Sequence, residues 1–327
     1  MSAPITSAAP LAGPARWSTP ISRIRLEGAD ARRFLHGQSS QAIELASPGA
    51  CIATGLISPT ARMRALALAC VDEAGIDLLV VAGDGGAVHQ ALDRVLFPAD
   101  RVRLGASEPA LLVRWFGPTA ETAYGTQLLR PGVNLGAGPE QPALLLGANT
   151  PLPSWLQALP ELTPHEVEQL RLRQGFPAAP AELNDDTNPF ELGLADWVSL
   201  NKGCYVGQET LAKLATYDGV KQQLRHWRAP RTDPAATGAC TPGTPLHQTA
   251  GGRAGVITSA LATADGLEGL ALVRRQALND DLLLVDAGEG AEAPAISLEI
   301  SVPAGFSAPP VGAGGGGPTQ GRSGGSA

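Results

Sequence analysis

Lysine is almost missing from this chain: among 24 basic residues in 327, only Lys202, Lys213 and Lys221 are lysine, and the rest are arginine. Aromatic residues are scarce as well, at 4%, so the core must be built largely from Leu, Val and Ala. No apolar run approaches the roughly 18 residues that a membrane-spanning helix needs, so no membrane partner is expected. The four cysteines, Cys51, Cys70, Cys204 and Cys240, form no C-x-x-C pair, which excludes a zinc motif or a redox dithiol at local spacing and suits a reducing compartment. No His stands at ligand spacing from Cys204 either, so no closed metal site is expected. A net charge of -7 provides no general field for phosphate backbones and excludes bulk nucleic-acid binding. Residues 1–16 hold one Arg and no apolar segment of the secretory kind, so they read as a flexible leader on a cytoplasmic protein.

What is present is a succession of short strands and helices. Strands are predicted over 21–28, 51–57, 62–71 and 76–83, with helices over 29–37 and 84–97. Two further strands are read in "DRVRLG" and "PALLVRWFG", and another in "PALLLGA" (142–148). The clearest helix is "TPHEVEQLRLRQGFP" (163–177): Thr163 with Glu166 makes a capping box, Pro164 takes the first helical position, and Gly175 can stop the helix in a left-handed conformation. From 222 to about 305 short strands alternate with Gly and Pro, as in a small barrel or sandwich. The expected class is α+β with antiparallel sheets. Its expected parts are a leader (1–16), a first module (17–117), a second (118–221), a barrel (222–306) and a Gly/Ser/Pro tail (307–327) too poor in apolar residues to fold.

All three lysines and two of the three tyrosines fall in "NKGCYVGQETLAKLATYDGVKQQL" (201–224). Gly203 and Gly207 bracket Cys204 and let the backbone turn tightly. Gln208 to Thr216 is predicted as a helix with Glu209 and Lys213 on one face. Cys204 then lies just before a helix N-terminus with Lys202 beside it, and both effects favour thiolate. On local pattern alone, a small buried cysteine remains the alternative. Among other polar groups, "ELNDDTNPFEL" (182–192) reads as a solvated or pocket-lining loop with a turn at Asn188-Pro189, and "GDGG" (83–86) as a turn. The five histidines read as surface or turn residues, and Arg23, Arg25, Arg32, Arg33, Arg62 and Arg64 as solvated faces.

"KGCYVGQE" (202–209) resembles the K-G-C-[FY]-x-G-Q-E signature of the YgfZ-type folate-binding proteins. "LEGADARRFLHGQSSQAIELASPG" (26–49), "LRLRQGFP" (170–177), "NPFELGL" (188–194), "GRAGVITSA" (252–260) and "GLALVRR" (269–275) are similar to other blocks of that family, most closely its cyanobacterial and plastid-type branch. The resemblance implies the fold of the aminomethyltransferase (T-protein) of glycine cleavage, with modules around a central opening that holds tetrahydrofolate. It also implies a role in making or maintaining iron–sulfur proteins, as clients or assembly partners, with a link to tRNA modification. Cys204 is the residue carried over as functionally central, with Lys202, Gly203, Tyr205, Gly207, Gln208 and Glu209 shaping its loop.

In T-proteins and many bacterial relatives a Glu expected to touch the pterin stands where this chain has Arg173. Arg accepts no hydrogen bond, so the ligand contacts are expected from Arg171, Glu182 and Glu191 instead. The segment 55–66 lacks the carboxylate that T-proteins place beside the folate amine, which argues against aminomethyl transfer. Two alternatives stand beside the accessory role: a tetrahydrofolate-dependent one-carbon transferase, and a scaffold that presents the 201–224 loop to a partner.

Overall fold

The computed structural model describes residues 13–117, 127–130, 132–137, 141–147, 149–230, 236–286 and 295–310. The expected leader and tail lie largely outside these residues, as does much of the Gly- and Pro-rich stretch after 117.

The N-terminal half follows the order β1 (Ala15–Glu27), α1 (Ala31–Gln38), β2 (Cys51–Ile57), β3 (Met63–Val71), β4 (Gly75–Ala82), α2 (Gly85–Asp93), β5 (Arg103–Phe116), β6 (Gln127–Leu129) and β7 (Ala143–Gly147). These strands form one antiparallel sheet in the order β2-β3-β4-β1-β5-β7-β6. The sheet therefore takes strands from both sides of residue 117. The two strands read between 100 and 117 are a single β5, which pairs with β1 over its whole length and absorbs a register shift between Ile24 and Leu26. Pro109 is tolerated within it one residue before pairing with β7 begins at Ala110. "GDGG" is a turn in which the Asp84 side chain accepts from Gly86 N and Ala87 N and so caps α2.

After the short α3 (Ser154–Gln157) comes α4 (Pro164–Gln174), with the capping box, the Pro and the left-handed Gly175 (φ 67°) where the sequence places them. α5 spans Gln208–Thr216, the predicted interval. The remaining strands, β8 (Gln222–Pro230), β9 (Pro245–Gln248), β10 (Arg253–Thr263), β11 (Gly266–Arg274), β12 (Leu282–Val285) and β13 (Ile296–Ser301), close into a barrel in the order β10-β11-β8-β13-β12-β9.

Alternation along the strands gives the sheet two apolar faces. One carries Ile24, Leu26, Ala67, Leu78 and Val80 under α1 and α2. The other carries Leu66, Leu68, Leu79 and Leu112 and packs against Leu172 of α4, Leu211 of α5 and Leu270 and Leu272 of the barrel. α4 is thus clamped between sheet and barrel, and this decides where its polar residues point. Among the described residues no helix is long and apolar enough to cross a membrane.

Candidate functional site

The loop 201–207 is seated on the C-terminal end of α1. Lys202 turns inward and is 8% exposed. Its ammonium donates to the carbonyls of His36 and Gln41, the latter at 2.8 Å, and sits 4.5 Å from the centre of the Tyr205 ring. Carbonyls at a helix C-terminus carry partial negative charge, so the lysine anchors the loop electrostatically as well as by hydrogen bonding. Burial pushes its pKa down to about 7. The charge expected to act on Cys204 is directed at these carbonyls, whereas Cys204 is exposed.

Gly207 caps α5 with φ 81°, and a Cβ there would lie 2.7 Å from the Ser58 carbonyl oxygen, so both conformation and space demand glycine. Gly203 has room, its nearest neighbour being His36 Nε2 at 3.7 Å from a Cβ. Val206 N donates to Gly37 O at 3.1 Å, and Gln208 Nε2 donates to Lys202 O at 3.1 Å, which closes the loop on itself. Tyr205 is buried, its hydroxyl has no hydrogen-bond partner among the described residues, and burial pushes it up to about 12. Glu209 and Lys213 pair at 2.7 Å on the solvent face of α5.

His36 belongs to this seat, although its sequence context singled it out only as a surface or turn residue. Its Nδ1 accepts from Ile43 N at 3.3 Å and Glu44 N at 3.2 Å. This places the proton on Nε2, the nitrogen that faces Gly203. Burial, with Lys202 nearby, lowers its pKa.

A cavity of about 320 Å³ lies between the sheet and α4. Trp17 and Thr19 of β1, Arg114 of β5, Glu168 and Arg171 of α4, and Phe176 contribute its chemistry. Arg171 forms a two-pronged pair with Glu168 at 2.7 and 2.8 Å and also donates to Phe176 O at 2.8 Å and Ser259 Oγ at 3.0 Å. Glu182 stands one layer behind: it is fully buried, accepts from Ala178 N at 3.0 Å and Ser259 Oγ at 2.7 Å, and lies 3.3 Å from Arg171. Its position suits it to hold Arg171 rather than to meet a ligand. Glu191 lies outside the lining, where it accepts from Asn188 N at 3.0 Å and approaches Arg62 at 3.9 Å; burial pushes its pKa up.

Across the cavity the Arg114 guanidinium donates to Leu135 O and, at 2.6 Å, to Thr19 Oγ1, and it stacks 5.1 Å from the Trp17 ring. It makes no ion pair among the described residues, and burial lowers its pKa to about 10. The helix side of the cavity therefore presents the Glu168–Arg171 ion pair, and the sheet side presents Arg114.

Arg173 points the other way. The phase of α4 aims it at the barrel, where Glu268 of β11 accepts from Arg173 at 3.1 Å and from Gln169, and pairs with His226 of β8 at 3.0 Å. Glu268 is 2% exposed. Burial alone would raise its pKa, but the bonds from His226, Arg173 and Gln169 outweigh it and bring it to about 2. Arg173, expected from the sequence resemblance to replace a ligand-contacting Glu, thus locks helix to barrel. Trp17, Thr19 and Arg114, which do line the cavity, carried no local sequence signal. The one legible hint was the i,i+3 spacing of Glu168 and Arg171 on a well-capped helix.

A second hollow of about 490 Å³ opens beside the loop, lined by Gln38, Ile57, Val88, Leu92, Asp185 and Val206. The turn after β4 serves both hollows, with Gly83 in the cavity and Asp84 in the groove. Among the described residues no cluster of three His, Cys, Asp or Glu could hold a metal ion.

The fold matches that of the glycine cleavage system aminomethyltransferase T from Bartonella henselae, with a TM-score of 0.72 and 17% identity, over 89% of this chain and 86% of that one. The expected T-protein-like architecture with a small C-terminal barrel is therefore present. In sequence the chain is 31% identical over 228 residues to a chloroplastic protein of Arabidopsis thaliana named as an inferred transferase. That alignment takes in 62% of this chain and 53% of the relative, so the chain spans about half the relative's length. No protein-family model matches the chain.

Proposed function

We propose that this protein is a YgfZ-type folate-binding accessory protein that acts, in a reducing cytoplasmic compartment, on iron–sulfur client or assembly proteins, with Cys204 as its functional group and a link to tRNA modification. The observation that carries the reading is a cavity lined by aromatic carbon, the Glu168–Arg171 pair and Arg114 in an aminomethyltransferase-like fold. Its volume lies at the lower end of the range for small-molecule sites, about 300–1,000 Å³.

Its residues fit a pteridine. Phe176 and Trp17, the latter with Arg114 over its ring, line it with aromatic carbon, and Glu168 keeps lone pairs free beyond its pair with Arg171 to accept from an amino edge. Thr19 and Arg114 meet acceptors on the opposite side. Bound tetrahydrofolate would supply a reduced nitrogen able to carry a one-carbon unit. The protein's own part is to hold the ring, exclude water around it, and present a solvent-facing thiol on a loop pinned by Lys202, Val206 and Gln208.

Aminomethyl transfer is disfavoured because 55–66, which includes the end of β2 and the start of β3, bears no carboxylate. The test is complementation of a deletion strain. Cys204→Ser protein should accumulate normally yet fail to restore iron–sulfur enzyme activity, and full restoration would end the proposal.

A further inference from the structure

Cys51 and Cys70 lie 19 residues apart with no motif between them, yet the β2–β3 hairpin sets them directly opposite one another. Their sulfurs are 3.1 Å apart, about 1 Å from bonding distance. At the next register position Val71 N donates to Ala50 O at 2.8 Å, so Ala50 and Val71 are the hydrogen-bonded pair and Cys51 and Cys70 the narrow one. Narrow antiparallel pairs hold their Cα atoms about 4.5 Å apart, inside the span of about 4.4–6.8 Å that a disulfide bridges.

Access to the two thiols is unequal. Cys51 is half-buried at the sheet edge, while Cys70 is buried in the central core. The hydrogen bond to Cys51, burial and the facing Asp77 on β4 all push the Cys70 thiol up, so Cys51 is the group that meets a solution reagent first.

We infer that Cys51 and Cys70 are a reversible dithiol/disulfide site that reacts with low-molecular-weight disulfides. Cys51 sulfur attacks one sulfur of the small disulfide RSSR; the Cys51–SR bond forms, the S–S bond of RSSR breaks, and RS⁻ leaves with the Cys51 proton as RSH. Cys70 sulfur then attacks Cys51; the Cys51–Cys70 bond forms, the Cys51–SR bond breaks, and a second RSH leaves with the Cys70 proton. The cysteine pair loses two electrons and RSSR gains them. The bridge fastens the edge strand β2 to its only sheet neighbour among the described strands. The far end of that strand, Ile57 with Ser58, is the surface on which Gly207 rests, so the redox site and the Cys204 loop share one strand. This inference is independent of folate binding.

The test uses the full chain with Cys204→Ser, so that the exposed thiol takes no part. Reduced protein is equilibrated with mixtures of oxidised and reduced glutathione, alkylated, and weighed intact. A loss of about 2 Da is expected, with the Cys51 and Cys70 peptides linked and the change reversed by dithiothreitol. Adding Cys70→Ala should instead trap one glutathione on Cys51, and adding Cys51→Ala should leave Cys70 reduced. Cys51 and Cys70 both alkylated at every glutathione ratio, or glutathione retained on Cys51 when Cys70 is present, would overturn the inference.

Discussion

In the loop from Asn201 to Gly207 the residues that matter are neighbours in sequence, whereas around the cavity Trp17, Arg114 and Glu168 come from three distant elements. The loop is held by a left-handed glycine, a lysine on the carbonyls of His36 and Gln41, and a glutamine folded back on the lysine's own carbonyl. The cavity is held by topology, since its polar groups face inward only because sheet and barrel fix α4 in one rotation. Damage to the loop should therefore stay local. Damage to the clamp around α4 should reach the ligand from a distance.

The largest effect is expected at that clamp. Glu268→Gln leaves His226 and Arg173 facing a neutral amide and should cost about 3 kcal/mol in denaturant melts. It should also weaken ligand binding, because Arg173 no longer fixes the phase of α4. The pH dependence has a definite sign. The folded carboxyl titrates at about 2 against an ordinary 4.5, so the stability it contributes is complete above 4.5 and is lost as pH falls through about 2. The gap between wild type and Glu268→Gln should narrow over that window, and a gap constant from pH 7 to pH 2 would contradict the assignment.

Next in size is the contrast between the two glycines of the loop. Gly207→Ala meets both a positive φ and the Ser58 carbonyl and should lose about 2 kcal/mol, whereas Gly203→Ala should stay within about 0.5 kcal/mol of wild type. Equal losses in thermal melts would mean that the loop is not seated as described. Smallest of all is Cys204→Ser: the thiol is exposed, so stability should change by less than about 0.5 kcal/mol while complementation fails.

The same contrast explains what could be read from the chain alone. The capping box and Gly175 marked α4, and Gly207 to Thr216 marked α5, because caps and helix starts are decided within a few residues. The barrel was visible as short strands broken by Gly and Pro. The cavity was not visible, since Trp17 becomes a wall residue only when β1 pairs with β5 and sets it opposite Arg114. Glu182 is expected as a ligand contact in place of the Glu that Arg173 replaces, but it is satisfied by a backbone N–H, Ser259 and Arg171. Arg173 looked like a substituted ligand residue, and only the rotation of α4 reveals its partner, Glu268. Cys51 and Cys70 showed no motif because hairpin register, not spacing, brings them together.

The most direct test of the central claim is a calorimetric titration of tetrahydrofolate into wild type, Glu168→Gln and Cys204→Ser. The account predicts saturable binding to wild type at one site, affinity lowered about tenfold or more in Glu168→Gln through loss of a charged acceptor, and no change in Cys204→Ser. No binding to wild type, or equal affinity in wild type and Glu168→Gln, would contradict it.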